Sequence, residues 1–274
     1  MPEESRAPEP LLTVEGLTVS TTAGTALVRD VSFTVEAGTH LGVIGESGSG
    51  KSLTATAIVG LLGRGLKSSG SIRLAGHQVI GASDRQLVPL RGRYAAIVFQ
   101  DPSRSLDPLS RIGPQVSEPL RRFQHVTGKA LRDAVFSALD EVVLTDVERI
   151  VRSYPHELSG GQRQRIAIAL ALACRPKLLI ADEPTTALDV TVQAEVIELL
   201  RKLSDERGMA LIFVSHDVGV VSRVADSALV MQRGVVVERG PISQIISAPT
   251  DPYTRGLVDG VRRLEAALST GKLT

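Results

Sequence analysis

The sequence contains no tryptophan, and aromatic residues make up only 3% of its 274 positions. Modules that bind single-stranded nucleic acid usually stack the bases on aromatic side chains, so this composition disfavours that class of protein. The formal net charge is only +1 at pH 7, so bulk electrostatic attraction to phosphate backbones is weak as well. We therefore expect no nucleic-acid partner.

Cysteine and long apolar runs are also scarce. Cys174 is the single cysteine, which excludes an internal disulfide framework and agrees with a reduced, cytosolic environment. The longest apolar run, residues 166–174, falls well below the ~18 residues of a spanning helix. We expect a chain that does not cross a membrane but can lie beneath one. The acidic, proline-rich residues 1–10 do not resemble a secretory signal and are expected to form a disordered tail.

The hydrophobic pattern predicts strands that alternate with helices. Residues 11–19 and 31–35 alternate as antiparallel strands do, and residues 41–44 indicate a buried strand. Further segments are predicted as strands (71–74, 95–99, 177–181, 210–214), as a hairpin (227–231 with 235–238) and as helices (52–62, 129–143, 190–207, and the tail from 241). This alternation is typical of a largely parallel α/β sheet. Strand signals fade between residues 101 and 155, which indicates an inserted helical subdomain.

A glycine-rich segment between a predicted strand and a predicted helix matches the pattern G-x-x-x-x-G-K-[ST]. Glycines allow backbone N–H groups to approach phosphate oxygens, and the following helix offers a positive end. We expect Lys51 to reach the β- and γ-phosphates and Ser52 to ligate Mg²⁺. The alternative is a glycine-rich turn with an incidental lysine. The predicted nucleotide-binding residues are Gly45, Glu46, Ser47, Gly48, Ser49, Gly50, Lys51, Ser52 and Leu53.

The apolar strand 178–181 ends in two acids, Asp182 and Glu183. Acids at a strand end are often simply solvated, which is the alternative interpretation. At the carboxyl edge of a parallel sheet, where ligands bind, Asp182 is expected to be a Mg²⁺ partner. Glu183 is expected to act as a general base that polarises an attacking water.

Further short stretches follow the same order along the chain: GESGSGKS, Gln100, LSGGQRQR, LLIADEP, Ala187-Leu188-Asp189 and His216. Taken together, these motifs resemble the ATP-binding subunit of an ABC transporter over about residues 11–257. The resemblance implies an α/β P-loop NTPase fold of the ABC ATPase type. Its expected parts are a RecA-like core with an antiparallel β subdomain (11–100 and 156–240), an inserted α-helical subdomain (101–155) and a C-terminal helical extension (241–274).

The resemblance also implies roles for particular residues. Two copies would close head to tail, with each ATP between the Lys51 loop of one copy and the signature loop of the other, Ser159, Gly160, Gly161 and Gln162. The implied catalytic residues are Glu183, His216 and Gln100, and the implied metal ligands are Ser52, Gln100 and Asp182. Standing alone, Gln100 would be a surface glutamine and His216 a structural histidine. Asp189 resembles a residue that contacts the opposite copy, and it also fits a helix N-cap.

Two stretches, FQDPSRSLDP at 99–108 and PTDPYTRGL at 249–257, are similar to the oligopeptide, dipeptide and nickel import subgroup. That subgroup works at the cytoplasmic face of the membrane with two transmembrane permease subunits and a second ATPase subunit, identical or paralogous. A solute-binding protein is an indirect partner. Many relatives carry an iron–sulfur centre near the C-terminus, but no cysteine follows Cys174. We expect ATP and Mg²⁺ as the bound groups and no iron–sulfur cluster.

The sequence departs from the family pattern at one place, because no aromatic residue lies between positions 17 and 32 to stack on adenine. Relaxed base selectivity and use of GTP are therefore expected. The main alternative function is a soluble ABC ATPase acting on DNA or ribosomes, but neither a long coiled-coil insert nor a tandem second domain is visible. Intact Lys51, Asp182, Glu183 and His216 argue against a catalytically silent subunit.

Overall fold

The computed structural model describes residues 9–186 and 189–270. The chain divides into two compact units. One contains the described residues up to Leu87 together with those from Ala210 onward, and the other runs from Val88 to Met209. The discontinuous first unit contains the predicted phosphate loop, and the second contains both the acidic strand end and the signature loop.

The first unit contains an antiparallel sheet and a mainly parallel one. Its elements are β1 (Leu12–Thr21), β2 (Ala26–Val35), β3 (His40–Ile44), α1 (Lys51–Ile58), β4 (Leu66–Leu74), β5 (His77–Gln78), α2 (Asp84–Leu87), and later β8 (Ala210–Ser215), α8 (Val218–Ser222), β9 (Ser227–Gln232), β10 (Val235–Pro241), α9 (Ile242–Ser247) and α10 (Pro252–Thr270). The antiparallel sheet has the strand order β2-β1-β4-β5. Strand β3 pairs in parallel with β8 and β9, and β9 pairs antiparallel with β10.

The sequence pattern explains both sheets. In β1 the buried residues are Leu12, Val14, Leu17 and Val19, so the alternation slips by one residue after Val14. The pairing with β2 shifts at the same place, beside Gly16 at φ 57°, as a bulge requires. All five residues of β3 are buried, as expected for a parallel strand covered on both faces.

The second unit is mostly helical. Its elements are β6 (Ala95–Val98), a 3-10 turn (Pro102–Arg104), α3 (Ile112–Gln124), α4 (Gly128–Glu141), α5 (Val147–Arg152), a 3-10 turn (Pro155–Glu157), α6 (Gly160–Ala173), β7 (Leu178–Asp182) and α7 (Val190–Arg207). Strands β6 and β7 are parallel neighbours. Helix α3 packs against α4, α5 and α6. Between residues 101 and 155 the assigned elements are all helical; the inserted subdomain with limits at 101 and 155 stays a prediction.

Two predicted elements differ in extent from the structure. The helix predicted over 52–62 ends at Ile58, because Gly60 takes a left-handed conformation at φ 63° and the N–H of Leu61 bonds back to the carbonyl of Thr56. The tail predicted to be helical from 241 begins one residue later and contains two helices, α9 and α10. In the part of the chain that the structure describes, no helix is long and apolar enough to span a membrane.

Candidate active site

The phosphate loop connects β3 to α1 at the carboxyl end of β3. Gly45 comes so close to the β9 strand that a Cβ atom there would lie 2.2 Å from the carbonyl oxygen of Met231. Gly50 is the N-cap of α1 with φ 101° and provides no side-chain cap. No side chain at the N-cap competes with an anion for the first-turn N–H groups of α1.

The Lys51 side chain is buried, with 4% of its surface exposed. Its ammonium group donates to the carbonyl oxygens of Gly45 at 2.6 Å and Glu46 at 2.9 Å. A buried cation needs such partners, because desolvation without them is costly. The lysine is thereby fixed against the loop that it is predicted to serve.

His216 follows the strand next to the one that leads into the loop. Ile44 of β3 pairs with Ser215 of β8 in parallel register, so the phosphate loop and His216 both start where these neighbouring strands end. Asp217 then caps α8 by accepting hydrogen bonds from the N–H groups of Gly219 and Val220. The predicted γ-phosphate contact and the predicted phosphate loop thus share one sheet edge.

In the second unit, Gln100 and the acid pair follow neighbouring parallel strands. Val98 of β6 pairs with Ala181 of β7, and the Gln100 amide Nε2 donates to Glu183 Oε2 at 3.3 Å. Asp182 is 5% exposed. The structure therefore brings these three predicted site residues to one strand edge.

Glu183 has an unusual backbone conformation for a glutamate, with φ 47°. The Thr186 hydroxyl donates to Glu183 Oε2 at 3.0 Å, so Thr186 and Gln100 hold the same carboxylate oxygen. Left-handed conformations of non-glycine residues cost energy and concentrate at functional sites. No motif in the sequence pointed to Thr186, which lies three residues beyond Glu183.

The signature loop forms the start of the 14-residue helix α6. Ser159 Oγ accepts from the N–H of Gln162 at 3.2 Å, and Gln162 Oε1 accepts from the N–H of Ser159 at 3.0 Å. This reciprocal capping box fixes the helix N-terminus. A Cβ atom on Gly161 would lie 2.9 Å from Val192 Cγ1 of α7, so the second glycine lets the two helices approach closely.

Arg163, which was not predicted as a site residue, braces the signature loop. Its Nη1 donates to the carbonyl oxygen of Leu158 at 2.6 Å.

Asp101 lies near Arg163 and has a lowered pKa. Hydrogen bonds from the side chain and the backbone N–H of Ser103 are the main cause. Burial opposes this lowering of the pKa, whereas the positive charges of Arg104 and Arg163 add to it. A cavity of about 320 Å³ joins these segments, lined by Gln100, Asp101, Pro102, Gly160, Arg163, Gln164 and Pro184.

Asp189 caps helix α7, accepting from the N–H of Val192 at 3.0 Å. The N-cap interpretation of this residue is therefore confirmed, and its predicted contact with an opposite copy stays a prediction. Ala187 and Leu188, which belong to the same motif, lie outside the described residues.

Tyr253 makes a contact with the phosphate loop that the sequence did not predict. Its hydroxyl oxygen accepts a hydrogen bond from the backbone N–H of Glu46 at 2.9 Å. In the sequence, residues 249–257 indicated only a transporter subgroup. Tyr253 and Glu46 are 207 positions apart, so no local sequence pattern could predict their contact.

Comparison with known proteins gives concordant results. Residues 28–186 match the family model described as "ABC transporter". The chain is 47% identical over 260 residues to a Brucella melitensis protein named "Putative peptide import ATP-binding protein", covering 93% of this chain and 78% of the relative. It is 43% identical to the oligopeptide transport ATP-binding protein OppD of Salmonella typhimurium, covering 96% and 80%.

Two solved structures are similar in fold. One is a dimeric ATP-binding cassette in a post-hydrolysis state bound to ADP and Pi, with a TM-score of 0.75 and 28% identity over 84% of this chain and 98% of that one. The other is a Clostridium perfringens protein, cbiO1, that is part of the ABC transporter complex cbiONQ. Its TM-score is 0.76 at 27% identity, covering 95% and 99%.

Proposed function

Because this chain belongs to the ABC transporter family, we propose that it is the ATP-hydrolysing subunit of an importer for peptides or a related small solute. Both relatives described above are named for peptide import or oligopeptide transport. Their names favour import over the alternative of a soluble ATPase acting on DNA or ribosomes.

Nucleotide binding is assigned to the loop from Gly45 to Leu53. The first turn of α1, which has a glycine at its N-cap, would supply N–H donors for phosphate oxygens, and the buried Lys51 ammonium would supply a positive charge. A Cβ on Gly48 would meet nothing within 4 Å, so space for a ligand adjoins that part of the loop.

Mg²⁺ fits the chemistry of the predicted donors. Ser52, Gln100 and Asp182 offer a hydroxyl, an amide oxygen and a buried carboxylate, which are the hard oxygen ligands that Mg²⁺ prefers. When bound, the ion would neutralise charge on the phosphates. Among the described residues no cluster of three or more His, Cys, Asp or Glu could hold a metal, and the lack of an iron–sulfur cluster stays a prediction.

The observation that carries the hydrolytic function is the fixed carboxylate of Glu183. Gln100 and Thr186 both donate to its Oε2 atom, which holds the carboxylate in one orientation, and the carboxylate would accept a proton from an attacking water. Gln100 would orient that water together with the carboxylate. His216, at the end of β8, would donate to the γ-phosphate and stabilise the charge that develops there.

A second copy is needed to complete the site. The capping box of α6 uses the N–H groups of Ser159 and Gln162, and those of Gly160 and Gly161 lie in the same first turn. At this positive helix end, Ser159–Gln162 of the opposite copy would bind the γ-phosphate. Asp189 would contact the opposite copy beside it. The similar cassette solved as a dimer with ADP and Pi supports this arrangement. The second copy is identical or paralogous.

A groove among α3, α4 and α5 suits a helix of a membrane permease. It has a volume of about 730 Å³, and Leu131, Val135, Phe136 and Val151 supply its apolar lining. Arg121, Arg132 and Arg152 give the rim a net positive charge against Glu118 and Glu148. We propose that one permease subunit docks here on each ATPase, which places the protein at the cytoplasmic face of the membrane. The solute-binding protein would act through the permease.

Reconstitution tests this function. The chain is co-expressed with candidate permease subunits, the complex is placed in liposomes, and phosphate release is measured with and without a peptide-loaded binding protein. We expect MgATP hydrolysis that the loaded binding protein stimulates. Hydrolysis that follows ribosomes or DNA instead, with no permease bound, would favour the soluble alternative.

A further inference from the structure

The second residue of the phosphate loop is held from two sides. The backbone N–H of Glu46 donates to the hydroxyl oxygen of Tyr253 at 2.9 Å. The backbone carbonyl of Glu46 accepts from the Lys51 ammonium at 2.9 Å. Tyr253, on the first turn of α10, and the loop lysine therefore fix the same residue through its two backbone polar groups.

A network of hydrogen bonds fixes the segment that leads to Tyr253. The backbone N–H of Tyr253 donates to Asp251 Oδ1 at 2.8 Å, and that of Asp251 donates to Glu238 Oε2 at 3.1 Å. Thr250 donates to Glu238 Oε1 through its backbone N–H at 2.8 Å and its hydroxyl at 2.9 Å. Glu238 belongs to β10, so the tyrosine is tied to the sheet rather than to a free tail.

The protonation states support this arrangement. Although partial burial opposes ionisation, hydrogen bonds from Thr250 and Asp251, together with the nearby Thr254 side chain, hold the pKa of Glu238 below its usual value. Burial raises the pKa of Tyr253, and the nearby Glu46 carboxylate raises it further against the effect of the Glu46 N–H bond. Glu238 is therefore an ionised acceptor and Tyr253 a neutral phenol at physiological pH.

The same helix also packs near the histidine segment. Thr254 and Val258 of α10 are buried, and Val261 Cγ1 lies 3.5 Å from the position that a Cβ on Gly219 would take. Gly219 lies in α8, which begins directly after His216 and Asp217. One helix thus contacts the phosphate loop at its first turn and α8 further along.

We infer that Tyr253 is a positioning residue for ATP binding, which it serves by orienting the Glu46 peptide of the phosphate loop. This inference rests on the proposed ATPase function. A hydroxyl lost at this place leaves the Glu46 N–H without its acceptor in the first part of the loop. The Glu46 peptide can then rotate, and the Lys51 ammonium loses the fixed position of the Glu46 carbonyl to which it donates. The tyrosine touches the loop and not the reacting atoms, so its effect falls on nucleotide affinity.

Tyr253→Phe tests the inference, because it removes one oxygen and keeps the ring. The matched control is Tyr94→Phe, at the edge of β6 in the other unit, whose ring packs on the cations of Arg93 and Lys177. For the parent and both variants, the Kd for ATP, KM and kcat for MgATP hydrolysis, and the Tm are measured. We expect Tyr253→Phe to raise Kd and KM by about fivefold, as the loss of one hydrogen bond predicts, with kcat within about twofold.

The outcomes separate positioning from simple anchoring of α10. A lower Tm with parental Kd and KM would overturn the inference, and so would an equal rise of KM in Tyr94→Phe. Glu238→Gln is a second variant that loosens the support of Tyr253 and should raise Kd in the same direction. Unchanged affinity in both Tyr253→Phe and Glu238→Gln would refute the inference while leaving the ATPase function intact. A parent that neither binds nor hydrolyses MgATP would overturn both.

Discussion

The amide nitrogen of Gln100 lies 3.3 Å from a carboxylate oxygen of Glu183, although the two residues are 83 positions apart. Parallel pairing of β6 and β7 brings them together, and Glu183 itself has a left-handed backbone conformation just after β7. The contact joins the proposed general base to the residue that begins the segment toward α3.

Replacing Glu183 by glutamine tests its role as general base. The amide keeps the shape of the side chain but cannot take a proton, so we expect ATP binding to persist and hydrolysis to fall by about 10² to 10⁴. Phosphate release and nucleotide binding are measured in parallel. Glu36→Gln, an exposed glutamate at the end of β2, is the matched control and should retain parental activity. Turnover at the parental rate by Glu183→Gln would exclude Glu183 as the base.

Glu183→Gln should also change the oligomeric state of the protein. Without hydrolysis the nucleotide stays between two copies, so Glu183→Gln with MgATP should be a stable dimer. The parental protein without nucleotide should be mostly monomeric. Light scattering after size-exclusion chromatography measures both masses, and a stable dimer in nucleotide-free parental protein would contradict the prediction.

Lys51→Ala should weaken the binding of ATP rather than slow the hydrolysis of ATP that is already bound. A hydrogen bond to a charged group contributes about 1.5 to 3 kcal/mol, so the loss predicts roughly ten- to a hundredfold weaker ATP binding. Equilibrium titration with a fluorescent ATP analogue checks this. Lys67→Ala, at an exposed position of β4, should bind as the parent does. A parental Kd in Lys51→Ala would show that the lysine does not contact phosphate.

Base selectivity should be relaxed. The connection between β1 and β2 is a tight turn in which the N–H of Thr21 bonds to the carbonyl of Thr25, and its residues are small or polar. Since no aromatic ring lies in this segment to stack on adenine, we expect GTP to be hydrolysed within about tenfold of ATP, given about 0.5 to 1.5 kcal/mol for a stacking contact. Thr22→Tyr should restore a preference for ATP. Failure of the parental protein to use GTP beside ATP would count against the prediction.

Cys174 should react slowly with thiol reagents. Burial raises the pKa of its thiol to about 11, with Arg122 acting in the opposite direction. Because the thiolate is the reactive form, labelling by a disulfide reagent at pH 7.5 should be slow and should accelerate as the pH rises toward that value. Protein unfolded in guanidinium is the control and should label at once. Full labelling of native protein within minutes at pH 7.5 would contradict the assigned environment.

The sequence by itself determined the features that are local. The phosphate loop, the capped signature helix and the N-cap at Asp189 each depend on a few consecutive residues whose backbone preferences agree with their place between a strand and a helix. Alternation and continuous apolar runs likewise predicted most strands, because a period of two residues reflects one buried face. The end of α1 was missed because the left-handed turn at Gly60 closes it early.

Only the tertiary structure decided which distant residues meet. Gln100 reaches Glu183 because two strands pair in parallel, and Tyr253 reaches Glu46 because β10 anchors the segment before α10. Such contacts depend on the summed packing of whole elements, so no short stretch of the chain encodes them. The identity of the motifs was therefore readable from consecutive residues, whereas the hydrogen bonds that hold the base and the phosphate loop in position required the folded chain.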